Sequence, residues 1–103
     1  PVRSIDPTMR QAIRARGVLT CDAFLGDAGA QPYWTLSRLS SELAGLPASG
    51  WVELMCHPGY APTAVTSGYS AQREVELKTF TSGDARMLLE ARGLTPVTWW
   101  ALR

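Results

Sequence analysis

The chain holds one imidazole, His57, at the end of the stretch Trp51-Val52-Glu53-Leu54-Met55-Cys56-His57-Pro58-Gly59-Tyr60. Histidine titrates near neutrality without help from its surroundings, so it suits the donation of a proton to a leaving group. Pro58 has no N–H for a ladder and Gly59 can take positive φ, so a strand entering this stretch must end in a tight loop. Chemistry in α/β folds gathers at the carboxyl ends of strands. A lone histidine near a strand end is nonetheless more often a hydrogen-bonded structural or solvated residue than a catalyst, and both readings stand. Two further residues belong to the same question. Asp22 follows the short apolar run Val18-Leu19-Thr20-Cys21 as His57 follows the longer one, although it reads equally well as a turn or capping Asp. Arg73 sits at the start of a helix, where a cation opposes the helix dipole, so it either pairs an acid near the strand ends or is simply solvated.

The elements that must position these residues follow from periodicity and punctuation. As a strand, residues 51–57 alternate, with Val52, Leu54 and Cys56 on one face and Trp51, Glu53, Met55 and His57 on the other. Glu53 then lies roughly 13 Å from His57 at about 3.3 Å per residue, too far to be its partner. Asp6-Pro7 opens a first helix that Gly17 stops. Leu36, Leu39, Leu43 and Leu46 mark a second helix, closed by Pro47 and Gly50. Ser70 starts a third, with apolar area from Val75, Leu77 and Phe80 and a Glu74–Lys78 pair on its surface. Thr81 or Ser82 with Gly83-Asp84 starts a fourth, with Ala85, Leu88, Leu89 and Ala91 inward and Gly93 as its stop. Residues 26–32 and 59–70 are connections. Leu94 to Trp100 reads as a last strand, with Pro96 early or at an edge and Trp99 and Trp100 unequally exposed. The order is α/β, with about three parallel strands and four helices in one unit over residues 1–103.

Composition narrows the function classes. An apolar share of 46% and a charged share of 18% belong to an ordinary globular chain. Ten Lys plus Arg against nine Asp plus Glu offer no electrostatic footprint for nucleic acid. No apolar run is long enough for a membrane span, and the N-terminus carries no secretory pattern, so a cytoplasmic protein is expected. Pro1 is not an initiator residue, so the chain is expected to be cut from something longer. Cys21 and Cys56 have no metal-ligand spacing and read as two buried thiols in a reducing compartment.

The block Val52-Glu53-Leu54-Met55-Cys56-His57-Pro58-Gly59-Tyr60, then Tyr69 and Arg73-Glu74-Val75-Glu76-Leu77, resembles the C-terminal motif of the YdjC-like carbohydrate deacetylases. Gly17-Val18 with Asp22-Ala23-Phe24-Leu25-Gly26, and Gly93-Leu94-Thr95-Pro96-Val97-Thr98-Trp99, are similar as well. The nearest branch by this resemblance is the one associated with hopanoid biosynthesis. The resemblance implies the C-terminal part of a distorted (β/α) barrel that removes acetyl groups from N-acetylated amino sugars. It implies a divalent metal in the complete enzyme, held by an N-terminal Asp and two His that these residues do not include, so no metal and no other cofactor is expected in this chain. His57 carries over as a candidate acid or transition-state stabiliser, Asp22 and Arg73 as weaker supporting residues, and Pro58, Gly59 and Tyr60 as the substrate-binding loop. The alternative from another class is a non-catalytic α/β module that binds a partner or itself. Three strands with open edges are expected to recruit more protein, as a homo-oligomer or by pairing with the missing half, over more than about 1,000 Å². Asp22 and His57 are expected to open onto one rim of the sheet.

Overall fold

Four helices form where caps and periodicity place them. In the computed structural model, which describes residues 1–26, 33–61, 63–64 and 70–102, α1 spans Pro7–Arg14, α2 Leu36–Ala44, α3 Ser70–Phe80 and α4 Gly83–Ala91. Asp6 accepts the Met9 N–H at 2.8 Å, and Pro7 fills the first turn, where its missing donor costs nothing. Thr35 and Ser82 cap α2 and α4 in the same way, accepting from the N–H groups of Arg38 and Ala85. Gly17 and Gly93, the expected stops of α1 and α4, both take positive φ. The cap of α3, Tyr69, and most of the two expected connections lie outside the described residues.

The strands depart further from expectation. β1 is Ala23–Leu25 and β2 is Val52–Leu54, paired in parallel with Ala23 opposite Val52 and Leu25 opposite Leu54. Val18–Cys21 is therefore not a strand. Its apolar run joins no ladder among the described residues, although the Val2 N–H donates to the Leu19 carbonyl at 2.8 Å. Ladder pairing with the second strand starts instead at Asp22, whose N–H donates to the Trp51 carbonyl at 2.7 Å while its carboxylate accepts the Trp51 N–H at 2.7 Å. That reciprocal pair sets the register of the sheet. The third expected strand is also corrected. Residues 94–98 pair with no strand among the described residues, and Trp99–Ala101 is a 3₁₀ turn closed by the Ala101 and Leu102 N–H groups. Pro96 has no N–H to offer a ladder there. The two indoles do differ in exposure as expected, Trp99 at 37% and Trp100 at 76%.

The chain groups into two compact units. The first comprises Pro1–Leu25, Leu46–Met55 and Pro96–Arg103, and holds the sheet. Its interior contains Cys21, Leu102 and a buried hydroxyl pair in which Thr20 donates to Ser4 at 2.7 Å. The second comprises Gly26–Gly45 and Cys56–Thr95, where α4 packs on α2 and on α3. Leu39, Leu43, Ala85 and Trp34 form its core, and the Trp34 ring meets Phe80 edge-on at 6.3 Å. α3 buries Gln72, Glu76 and Thr79, whereas Val75, Leu77 and Phe80 are only half-buried. The apolar positions of α3 are thus not its most buried ones, because the polar stripe finds hydrogen-bond partners inside. No helix among the described residues is long and apolar enough to cross a membrane.

Two glycines separate constraint from convenience. Gly50 sits at φ 114°, and a Cβ there would stand 2.6 Å from the Asp22 carboxylate. Gly59 has no positive φ, so the left-handed turn expected there does not form, and a Cβ would meet only Arg73 Nε at 3.7 Å. Gly50→Ala should lower stability by about 1–3 kcal/mol through backbone strain, and more through the clash. Gly59→Ala should stay within about 0.5 kcal/mol of the parent in urea unfolding. Equal losses in both variants would contradict this account.

Candidate functional site

The histidine lies on an extended segment that is tied to a helix at every second residue. β2 ends at Leu54; the Met55 N–H still donates to the Leu25 carbonyl of β1 at 2.8 Å, and the chain then runs on through Cys56 to His57. The backbone N–H of His57 donates to Glu76 Oε2 at 2.6 Å, that of Gly59 to the Arg73 carbonyl at 3.1 Å, and that of Ala61 to Glu74 Oε1 at 3.0 Å. Pro58, lacking an N–H, falls between the first two contacts. An extended chain presents alternate N–H groups to one side, and here α3 supplies acceptors for three in succession. Tyr60 projects away with 84% of its surface exposed. The strict face alternation expected from Trp51 to His57 does not hold, because the strand stops three residues short.

Glu76 is the centre of this arrangement. The whole residue is 1% exposed. Its Oε1 accepts Gln72 Nε2–H at 2.8 Å and the Trp34 N–H at 3.5 Å, while its Oε2 takes His57 N–H. A buried carboxylate is tolerable only when its lone pairs are met by donors, and these three meet them. Its negative charge, after burial itself, pushes the Cys56 thiol up from its ordinary range. Arg73, one turn before Glu76, is half-buried with its guanidinium beside Gly59, and it makes no ion pair among the described residues. The acid expected to pair with Arg73 is therefore not found there.

Asp22 belongs to the other unit and to the other end of a strand. It directly precedes β1, so it stands at the amino end of the sheet, whereas the chain leaves β2 at the carboxyl end before reaching His57. Asp22, expected just after a strand, thus precedes one, because β1 starts five residues later than the apolar run Val18–Cys21. Both oxygens of Asp22 are engaged, Oδ1 with Arg14 and Oδ2 with the Trp51 N–H. Those bonds, the Trp51 contact foremost, hold its carboxyl below the usual carboxylate range. Nearby, Glu53 is buried and paired with Arg3 through Oε1, while its Oε2 is buried without a hydrogen-bond partner. Arg3 and Glu53, with Pro1, Trp99 and Trp100, line a cleft of about 400 Å³; a smaller one of about 220 Å³ includes Asp22, Arg14 and Trp51. His57 lines neither.

The donor set does not fit a catalytic metal. Asp22 is committed to Arg14 and Trp51, and Glu76 to its three N–H donors. Among the described residues no three His, Cys, Asp or Glu side chains gather as ligands. Both cysteines are free thiols, Cys21 buried and Cys56 half-buried. Burial, with Glu53 and Asp22 after it, raises the Cys21 thiol as well.

A profile of YdjC-like proteins matches residues 2–91, which is most of the chain. The chain belongs to the YdjC-like family. A relative from Vibrio parahaemolyticus serotype O3:K6, named a carbohydrate deacetylase, is 32% identical over 108 aligned residues, covering 98% of this chain and 43% of that protein. A crystal structure of an Enterococcus faecalis V583 protein named for cellobiose-phosphate cleavage superposes with a TM-score of 0.74 at 24% identity, over 98% of this chain and 41% of that one. At that identity the superposition speaks for the fold alone. The chain spans about two-fifths of the length of these relatives.

Within this YdjC-like chain, the sequence pointed to His57 and Arg73 and to the loop between them, and α3 does bring Arg73 beside Gly59. It carried Glu76 only as part of the Arg73-Glu74-Val75-Glu76-Leu77 motif, with no role of its own. The available signal was the spacing of Gln72, Glu76 and Thr79, a helical stripe of the same period as a core face but polar throughout.

Asp22 gives a test with a definite sign. Its folded pKa lies below its unfolded one, so its contribution is complete above about pH 5 and is lost as pH falls through about 4 toward the folded value. Asp22→Asn keeps an acceptor for the Trp51 N–H but loses the charge facing Arg14. With half-exposed partners, the loss at pH 7 should be about 0.5–1 kcal/mol. Urea midpoints of parent and variant should therefore differ at pH 7 and converge below about pH 4. A gap that widens on acidification would reverse the assignment.

Proposed function

We propose that this chain supplies the histidine-bearing part of a carbohydrate deacetylase acting on N-acetylated amino sugars. The observation that carries the reading is a single one: the His57 backbone is fixed on α3 through residues 57, 59 and 61. Family membership and the deacetylase name of the Vibrio relative supply the reaction class. In the reaction, water adds to the acetyl carbonyl carbon and the C–N bond breaks toward nitrogen. His57 as imidazolium provides the proton that nitrogen takes, so acetate and a free amine leave. Tyr60 offers an exposed ring on which a pyranose C–H face can rest, and Pro58 and Gly59 present no bulky side chain beside it. Arg73 lies beside Gly59, within reach of a substrate oxygen on that side, and Asp22 supports the sheet from its own unit.

The remaining parts of the reading go with the complete protein. Any divalent metal would take its ligands from residues outside these 103, as the family resemblance implies. The two-stranded parallel sheet would be extended there by further strands toward a distorted barrel. The hopanoid-associated branch rests on the residue resemblance. A second reading, self-association or pairing with another chain, is favoured by Trp100, Val97, Met9 and Ile5, apolar side chains left exposed on the first unit.

His57→Ala decides between acid and structural histidine. Assayed in the full-length protein on N-acetylated amino sugars, kcat should fall by about 10²- to 10⁴-fold with melting temperature unchanged. Metal content should stay at the parent value, since the loss of a ligand would take the metal with it. A lower melting temperature with near-normal kcat per folded molecule would make His57 structural.

A further inference from the structure

The histidine loop could have been held by any backbone acceptor on α3. Instead its first residue is tied to a carboxylate that the fold has removed from water. Glu76 is 1% exposed, and its partners join three separate stretches of the second unit: Trp34 ahead of α2, His57 after β2, and Gln72 on α3 itself. Of the three bonds, that to His57 N–H is the shortest, 2.6 Å against 2.8 and 3.5 Å. Charge-assisted bonds of this length are about twice as strong as neutral ones, and more so in a low-dielectric interior. The two ties further along the loop are of another kind: Gly59 meets a carbonyl, and Ala61 meets Glu74, which is exposed to solvent.

We infer that Glu76 is the positioning residue of the His57 loop: its buried carboxylate orders residues 57–61 before substrate arrives, and it acts on the reaction through His57. The inference rests on the deacetylase reading for its chemistry but not for its geometry. A reacting group needs its backbone placed in advance, because an ångström of misplacement can cost about a hundredfold in rate. A neutral amide at position 76 cannot do the same work. Gln presents one acceptor and one donor, so either the His57 N–H or the Gln72 and Trp34 donors would face an NH₂ group.

Two measurements on Glu76→Gln test this. In amide hydrogen exchange, His57, Gly59 and Ala61 should exchange roughly tenfold faster or more than in the parent, while core amides of α2 and α4, Leu39, Leu43 and Leu88, stay within about threefold. A uniform rise across the unit, or no change at His57, would make Glu76 a general core residue and overturn the inference. Gln72→Leu, which removes a donor but leaves the carboxylate, should leave His57 exchange near the parent value. If Glu76→Gln does not fold, Glu76→Asp keeps the charge but withdraws it by one methylene. It should speed exchange selectively at His57, and an unselective rise there counts against the inference.

The second measurement is a double-mutant cycle on N-acetylated amino sugars in the full-length protein. Glu76→Gln alone should lower kcat/KM by roughly tenfold, and in a His57→Ala background it should add little. Additive losses would mean that Glu76 does not act through His57. If the parent hydrolyses no N-acetylated amino sugar, the deacetylase reading fails while the exchange result still decides whether Glu76 orders the loop.

Discussion

A carboxylate without water must have donors, and much of the second unit is arranged to supply them to Glu76. Two of its three partners are main-chain N–H groups that neither a helix nor a sheet satisfies, at Trp34 just ahead of the α2 cap and at His57 beyond the end of β2. Each side of the exchange relieves the other. The N–H groups escape the penalty of burial without a partner, and the carboxylate escapes the far larger penalty of burial without donors. The consequence is a buried face on α3 that is polar yet satisfied. Around it the apolar contacts fall into place: Trp34 is buried against Phe80 on one side and covered by Arg38, 4.3 Å above its ring, on the other.

The first unit uses the same device in a more exposed form. Asp22 takes the Trp51 N–H at the mouth of β2 while its own N–H goes to the Trp51 carbonyl. One acidic residue thereby starts the parallel ladder. The close approach this requires is what leaves no room for a Cβ at Gly50. In each unit, then, an acidic side chain captures main-chain N–H groups that regular structure leaves over, Trp51 for Asp22 and Trp34 and His57 for Glu76. Neither carboxylate is presented as an acid or base to solvent. Of the residues singled out for chemistry, His57 is the one whose main chain is fixed while its neighbours Pro58 and Tyr60 face outward.

Membership of the YdjC-like family fits this division. The ties that hold the histidine loop on α3, at residues 57, 59 and 61, lie within one unit, and the chain that carries them spans about two-fifths of a longer relative. The sheet is different. Two strands of three residues give a short ladder, with apolar side chains of the same unit left in solvent.

How much of this was legible before the structure depends on how local each feature is. Asp6-Pro7, Gly17 and Gly93 act within one turn of a helix, and the helices they bound lie where they indicate. The leucine spacing of α2 likewise named its buried residues, Leu39 and Leu43, because a helix face is a property of neighbours three and four apart. Strands carry no such local guarantee. Val18–Cys21 and Leu94–Trp100 are as apolar as real strands, but a strand exists only where a partner pairs with it, and the partner of Asp22 lies 29 residues away. The same reason hid Glu76. On the sequence it is a charge on a helix; only the fold brings in a donor 42 residues upstream and another 19 upstream, and with them a reason to bury it. The sequence by itself determined the helices, the histidine loop and the family. The tertiary structure decided which carboxylates hold that loop and that sheet, because buried polar groups are stable only in company that comes from distant parts of the chain.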